Sequence, residues 1–407
     1  MVSLAAGSDD WWRAKNGPEW TPEGDQYRVT FWWRDPSGTE ATSSVRRVWI
    51  YITGVTDHHQ NAMPQSLTRQ PGTDIWQWQT LLAPTWRGSY CLIPSECEDD
   101  FPAAAFADTG PDRHALREGW RKLLPRAVAD PLNHQSWKGG RGHAVSALEM
   151  PLAPVQPGWQ DQNAPFTPAR CVEWQSQRLG NLRRVWIFTT GDAQPEDRPL
   201  ALLLDGQFWA ESMPVWPALA SLTREGRLPP AVYLLIDVID TAHRSEELPC
   251  NPEFWLAVQE ELLPMIQAQT PFSSLPERTL VAGQSFGGLA AMYAGLHWPE
   301  RFGCVLSQSG SYWWPNRGNH QQGEIPRQLA SGELQPPPLR IVLEAGAREP
   351  IIFRANQTLF SLLQPSQRSL TWREVDGGHD ALCWRGGLTA GLISLWQPLL
   401  APDNSQD

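Results

Sequence analysis

A chain of 407 residues is too long for one compact core, and a 41% hydrophobic content is ordinary for a globular protein, so two domains are expected. The formal net charge of -11 argues against nucleic acid or an anionic membrane as partner, because neutralising phosphates requires a positive face. No apolar run is long enough to span a bilayer, and the first residues reach Asp9 and Asp10 without a basic n-region. Together these predict no membrane insertion, no signal peptide and a cytoplasmic location.

In chain order, Tyr27 to Pro94 reads as all β. Tyr27–Trp33, Val45–Ile52, Ile75–Leu81 and Gly88–Ile93 are short, aromatic and β-branched, with turn residues such as Asp35-Pro-Ser-Gly and Pro71-Gly-Thr-Asp between them. That spacing predicts an immunoglobulin-like β-sandwich whose alternating aromatics form the core; a carbohydrate-binding surface is the other reading. Residues 99–168 change character. Leu116–Leu124 suggests a short helix and Trp137-Lys-Gly-Gly-Arg-Gly-His a loop, a proline-rich stretch follows from Pro151 to Pro168, and the whole segment, too long for an idle connector, is expected to pack along the domain seam.

After Ala169, strands alternate with helices. Val172–Ser176 and Arg184–Thr189 suit an antiparallel hairpin. Leu200–Leu204, Ala231–Ile236, Arg278–Ala282, Phe302–Ser307, Leu339–Leu343 and Leu370–Val375 read as near-continuous apolar runs, as strands covered on both faces should. Helical stretches fall between them, including Phe254–Ala268 and Ile351–Leu363. The fold class expected is therefore α/β. An α/β-hydrolase sheet of about eight mostly parallel strands over residues 156–407 follows an all-β sandwich domain, with its connecting segment, over residues 1–155.

The chemistry concentrates at Thr279-Leu-Val-Ala-Gly-Gln-Ser-Phe-Gly-Gly. Apolar residues feed into Gly-x-Ser-x-Gly, and helix formers continue to His297: strand, sharp turn, helix. Such an elbow pushes the hydroxyl of Ser285 outward. A serine becomes a good nucleophile only when a base takes its proton, and α/β-hydrolases order these groups serine, acid, histidine. His379, in Val375-Asp-Gly-Gly-His-Asp after the last predicted strand, is the candidate base, whereas His320 reads as an exposed loop residue. Glu349, in the loop after Ile341–Leu343, is the candidate acid. Glu344 reads as structural, and Asp376 and Asp380 sit too near His379 in sequence to reach its ring. The backbone N–H groups of Phe286 and Gln207 are the expected oxyanion donors. No metal-ligand spacing occurs, and the six cysteines, without Cys-x-x-Cys spacing, read as reduced, buried thiols.

Several stretches go further. Gly283-Gln-Ser-Phe-Gly-Gly-Leu, Val375-Asp-Gly-Gly-His-Asp-Ala-Leu-Cys-Trp-Arg-Gly-Gly, Ser309-Gly-Ser-Tyr-Trp-Trp-Pro, Leu204-Asp-Gly-Gln-Phe-Trp and Val29-Thr-Phe-Trp-Trp-Arg-Asp-Pro together resemble the enterobacterial enterochelin (enterobactin) esterases, in order and over nearly the whole chain. The resemblance implies an amino-terminal β domain before an esterase-D-like α/β-hydrolase domain. It also implies cytoplasmic hydrolysis of the trilactone of ferric enterobactin, or of enterobactin, to dihydroxybenzoylserine units. Ser285 and His379 fall on the family's nucleophile and base, and Glu349 on the position where the related mycolyltransferases carry a glutamate.

The implied partner is thus a small catecholate siderophore. Iron would enter with the substrate, and no cofactor is expected. An aromatic trianion calls for guanidinium groups and ring faces, which nominates Arg244, Arg317, Arg348, Arg354, Trp209, Trp313 and Trp314. Two alternatives stand beside this reading: an aromatic-acid or feruloyl-type esterase with a carbohydrate-binding β domain, and a non-catalytic siderophore-binding protein.

Overall fold

Alternation of large apolar with polar residues builds the first unit, Met1–Pro154 together with Ala347–Glu349 and Asp376–Cys383. The computed structural model describes residues 3–139, 142–316 and 322–400. Eight antiparallel strands, β1 (Glu19–Glu23), β2 (Gln26–Arg34), β3 (Arg47–Ile52), β4 (Gln65–Arg69), β5 (Ile75–Leu82), β6 (Arg87–Ser95), β7 (Ser136–Lys138) and β8 (Ala144–Glu149), pair in the order β1-β2-β5-β4-β3-β6-β8-β7. β4 changes partner midway: Gln65–Leu67 lie against β3, and Thr68 and Arg69 against β5. The sheet folds back there, so Phe31 of β2 meets Tyr90 of β6 edge to face at 5.1 Å although three strands separate them in bonding order.

Period-two side-chain direction then sorts residues into two cores. Val48, Ile50 and Ile52 of β3 join Val29, Phe31, Trp76 and Trp86. Their neighbours Trp49 and Tyr51 face the other way, onto Leu116, Trp120 and Leu123 of the helix Arg113–Leu123. Part of the segment expected to act as a seam connector therefore covers the outer face of this sheet. A second correction concerns Trp137–His143. Trp137 and Lys138, read as loop, belong to β7 and pair with Val145 and Ala144 of β8, and Gly139 N donates to His143 O at 2.9 Å; Gly140 and Arg141 lie outside the described residues.

The second unit, Val155–Gly346, Pro350–Val375 and Trp384–Asp407, holds the other sheet. Its strands are β9 (Arg170–Ser176), β10 (Asn181–Thr189), β11 (Leu200–Leu203), β12 (Val232–Ile236), β13 (Thr279–Gln284), β14 (Cys304–Gln308), β15 (Arg340–Gly346) and β16 (Ser369–Val375), in the order β16-β15-β14-β13-β11-β12-β10-β9. The sheet is mixed: β11 to β16 run parallel, and β10 and β9 add an antiparallel edge. Leu200, Leu202, Val281, Val305 and Ile341 pack under the helix Phe286–His297. Leu203, Tyr233, Ala282 and Leu306, on the opposite face, are buried as well, with the Trp396 ring 5.8 Å from Tyr233. Central strands of continuous apolar sequence are thus covered on both sides. β16 is not. It lies at the sheet edge with alternating exposure, contrary to the expectation for Leu370–Val375.

β13 ends inside this sheet and turns directly into the helix Phe286–His297, a reversal that leaves little room. A Cβ on Gly283 would stand 2.2 Å from the carbonyl oxygen of Gly287, a backbone atom that cannot move aside. On Gly287 the nearest atom would be 3.5 Å away, ordinary contact. Only the first glycine of Gly-x-Ser-x-Gly is sterically required. Gly283→Ala should therefore abolish soluble folding or lower Tm by about 5 °C or more, as overpacking costs of about 1–3 kcal/mol or above imply. Gly287→Ala should shift Tm by no more than about 2 °C, because its effect is limited to helix propensity. Thermal melts of the two variants check the contrast.

Candidate active site

Ser285 occupies the turn between β13 and its helix with φ 58° and ψ -120°, a conformation that a non-glycine residue holds only when its surroundings fix it. Its N–H donates to Gln308 O at 3.0 Å, and its own carbonyl accepts from Ser311 N at 3.2 Å. The Oγ of Ser285 stands 3.4 Å from that of buried Ser311. The next residue, Phe286, opens the helix, so its N–H has no acceptor within that helix.

Beneath the elbow runs a ladder of buried polar side chains. Trp209 Nε1 donates to Gln284 Oε1 at 3.0 Å, and Gln284 Nε2 to Gln308 Oε1 at 2.9 Å. Gln308 Nε2 in turn donates to Glu344 Oε2 at 2.7 Å and to Trp384 O at 2.9 Å, while Arg373 Nε reaches Glu344 Oε1 at 2.7 Å. One rung comes from each of β13, β14, β15 and β16, so the strand ends are cross-tied where the turn must be held. Buried amides and a carboxylate are tolerated there because each is hydrogen-bonded. Glu344 is structural, as expected. Trp209, nominated for the substrate, is instead a core residue: it is 1% exposed and its indole N–H is engaged by Gln284.

The loop after β11 carries Gln207. Asp205 there has φ 52°, and a Cβ on Gly206 would stand 2.3 Å from Ile236 N, so the chain passes tightly against β12. Gln207 Oε1 anchors the loop by accepting from Val238 N at 3.2 Å. Arg244 pairs with Asp205 through both Nε (2.7 Å) and Nη2 (2.9 Å), donates to Gln284 O at 3.3 Å and lies 5.6 Å from the Phe286 ring. Burial works against its charge, but the Asp205 carboxylate more than offsets this and raises its pKa. Trp313 is half-buried with its ring 6.0 Å from Phe286, and Trp314 packs against the core of the sheet. Arg244 and Trp313 thus stand beside the Phe286 ring at the elbow.

His379 and Glu349 meet in the first unit, on the loops that follow β16 and β15. Nδ1 of His379 is 2.5 Å from Oε1 of Glu349, whose side chain is 0% exposed while the imidazole keeps 20%. A carboxylate so deeply buried is stable only with a close donor, and the ring supplies it. Arg348 ties the two loops: its N–H donates to Gly377 O at 3.0 Å, and its Nε bonds Asp376 Oδ1 at 3.0 Å. Asp376 therefore braces a loop and does not orient the imidazole. Asp380 is 4% exposed and accepts from Ser89 and from Leu382 N; burial raises its pKa, and those bonds act the other way. Arg354 is exposed and bonds the carbonyl of Pro350 in its own helix. Arg317 and His320 lie outside the described residues.

Sequence reasoning missed Ser311, Gln308 and the supports around His379. A visible signal existed for Gln284 and Gln308, each a long polar residue at the end of a largely apolar strand. Of the cysteines, all free, Cys97 and Cys171 are exposed rather than buried, since they sit at a strand end and on the edge strand β9. No helix among the described residues is long and apolar enough to cross a membrane.

Comparison with known proteins bears on both units. The family model "Enterochelin esterase, N-terminal" matches residues 28–159, and "Putative esterase" matches residues 176–395. The iron(III) enterobactin esterase of Escherichia coli O6:H1 is 66% identical over 400 residues, spanning 98% of this chain and 99% of that one. The crystal structure of ferric enterobactin esterase from Salmonella typhimurium superposes with a TM-score of 0.93 at 67% identity, covering 97% of this chain and 100% of that one. The enterobactin esterase of Shigella flexneri, crystallised in the presence of enterobactin, gives 0.91 at 64% identity with the same coverage. The chain belongs to the enterochelin (iron(III) enterobactin) esterase family.

Proposed function

We propose that the protein is a serine esterase that hydrolyses the three ester bonds of ferric enterobactin, and of enterobactin, to dihydroxybenzoylserine units in the cytoplasm. The observation that carries the chemistry is the imidazole of His379 anchored on a wholly buried Glu349, in a chain whose Gly-x-Ser-x-Gly serine sits in a strained elbow. Full-length likeness to enterobactin esterases supports the substrate and leaves a feruloyl-type esterase or a non-catalytic binder without a supporting observation.

In this reading Nε2 of His379 takes the proton of Ser285 Oγ as the oxygen attacks a lactone carbonyl. Glu349 accepts from Nδ1–H, fixing the tautomer and stabilising the imidazolium that forms. The negative charge that develops on the carbonyl oxygen is met by the N–H groups of Phe286 and Gln207. Collapse of the tetrahedral species breaks the ester C–O bond, and His379 returns its proton to the departing alkoxide oxygen of the substrate's serine, which leaves as a hydroxyl. Water, deprotonated by the same imidazole, then releases the acid and restores Ser285. Iron enters with the catecholates, and the protein needs no cofactor of its own. We assign the anionic substrate to Arg244, Arg317 and Arg354 among the guanidinium groups and to the ring faces of Trp313 and Trp314, and residues 1–155 and 156–407 to a β domain and an α/β-hydrolase domain.

Product analysis of ferric enterobactin by liquid chromatography tests the assignment. Ser285→Ala and His379→Ala should each lose on the order of 10⁶-fold in kcat while still binding the siderophore, and near wild-type turnover by either would remove that residue from its role. Glu349→Gln, which keeps the shape of the side chain but favours the wrong imidazole tautomer, should lose about 10⁴-fold in kcat, and a loss below about tenfold would contradict its place behind the ring.

A further inference from the structure

The groups next to His379 and Glu349 along the chain are held by residues from far away in sequence, from the first hundred positions. Asp380, directly after His379, places Oδ2 2.6 Å from Ser89 N and 2.9 Å from Ser89 Oγ, on strand β6, while its Oδ1 accepts from Leu382 N at 2.9 Å. Directly before Glu349, the carbonyl of Arg348 accepts from Gln60 Nε2 at 2.7 Å, and the same nitrogen donates to Asp57 Oδ1 at 3.0 Å. Asp57 is 1% exposed and also accepts from Gly54 N at 3.1 Å, so Gln60 is held by an element that is itself fixed.

Backbone meets backbone beside the base: a Cβ on Gly378 would lie 2.6 Å from Gly54 N. The ring of His59 lies against that of His379, with centroids 5.4 Å apart and planes inclined by 38°. A carboxylate with three donors, a two-way amide clamp, a steric stop and a ring contact thus surround the two loops at the residues that matter for proton transfer. Orientation of a base is the property such supports control, and a displacement of about 1 Å can cost about 100-fold in rate.

We propose that the amino-terminal part of the first unit, through strand β6 and the helical turn His58–Gln60 between β3 and β4, is a working part of the catalytic base, with Gln60, Ser89 and Asp380 as positioning residues that register the His379–Glu349 pair and His59 as a ring buttress. The inference rests on His379 being the base. It predicts that loosening these contacts slows chemistry without weakening substrate binding and without unfolding the protein. A β domain that serves only to bind ligand would do the reverse.

The test uses the full-length chain with ferric enterobactin, measuring kcat, KM and Tm, together with the rate at which a fluorophosphonate modifies Ser285. That reaction forms the O–P bond, expels fluoride and sends the serine proton to the base, so it reports on His379 without any siderophore contact. Asp380→Ala and Gln60→Ala should each lower kcat and the phosphonylation rate in parallel by about 10- to 100-fold, with KM changed by less than about twofold. His59→Ala should follow the same pattern at the lower end of that range.

Asp380→Asn keeps one acceptor oxygen, enough for Ser89 or for Leu382 N but not for both, and should recover only part of the rate lost in Asp380→Ala. If Asp380→Ala does not fold, Gln60→Ala and Asp380→Asn against wild type decide the matter. Wild-type kcat in Gln60→Ala and His59→Ala, a rise in KM alone, or losses that simply track Tm would overturn the proposal. If those variants are normal while His379→Ala is dead, only this inference fails; if His379→Ala is active, the assignment of the base fails first.

Discussion

Ser285 is held at φ 58°, and the rest of the second unit is arranged to keep it there. A non-glycine residue in such a conformation costs about 1–3 kcal/mol, and it persists only when neighbouring structure over-determines it. Three things do so. The strand before it lies in the middle of the sheet with every residue buried; the helix after it starts without a spacer; and its N–H and C=O are taken by Gln308 and Ser311. The polar ladder from Trp209 through Gln284, Gln308 and Glu344 to Arg373 makes the strand ends one connected body. Losing one rung would leave buried donors or acceptors unpaired, at about 1–3 kcal/mol each. That interdependence is why a turn with a poor local energy is reproducible in position.

The His379–Glu349 pair works by the opposite logic. The loops that carry it have little regular structure, so its order comes from burial and hydrogen bonds rather than from the periodicity of a strand or helix. A carboxylate with no exposed surface has nowhere to turn except to the imidazole 2.5 Å away. Arg348, with its peptide N–H on Gly377 and its guanidinium on Asp376, locks the loop of the acid to the loop of the base. Orientation of the ring is thereby set by several weak constraints acting together, each of which can be removed singly.

Much of this was legible in the sequence, and for identifiable reasons. Continuous apolar runs at 200–204, 231–236 and 278–282 could only be strands covered on both faces, and they are. The Gly-x-Ser-x-Gly elbow followed from a strand meeting a helix, and the relation of His379 to Glu349 from chain order. What could not be read was long-range side-chain traffic. Trp209 looks like a ring beside a motif, yet its indole is taken by Gln284, 75 positions away. Arg348 looks only like a cation for an anionic ligand, and its second part as a strut between loops has no local signature. Asp380 and Ser89 are 291 positions apart, so their bond has no local signature. The β7–β8 hairpin was hidden because Gly-Gly-Arg-Gly interrupts two short strands, one of only three residues. Edge placement of β16 depends on strand order, which hydrophobicity alone does not encode.

The central claim is that Ser285 attacks the ester carbon and carries the acyl group. It is tested most directly by acid-quenching the enzyme within milliseconds of mixing with enterobactin, followed by intact-mass and peptide mass spectrometry. The account predicts covalent adducts with the masses of the linear trimer, dimer and monomer of dihydroxybenzoylserine less water, all on the peptide that contains Ser285, with none in Ser285→Ala. Turnover that proceeds without any such adduct, or an adduct mapped to a different residue, would contradict it.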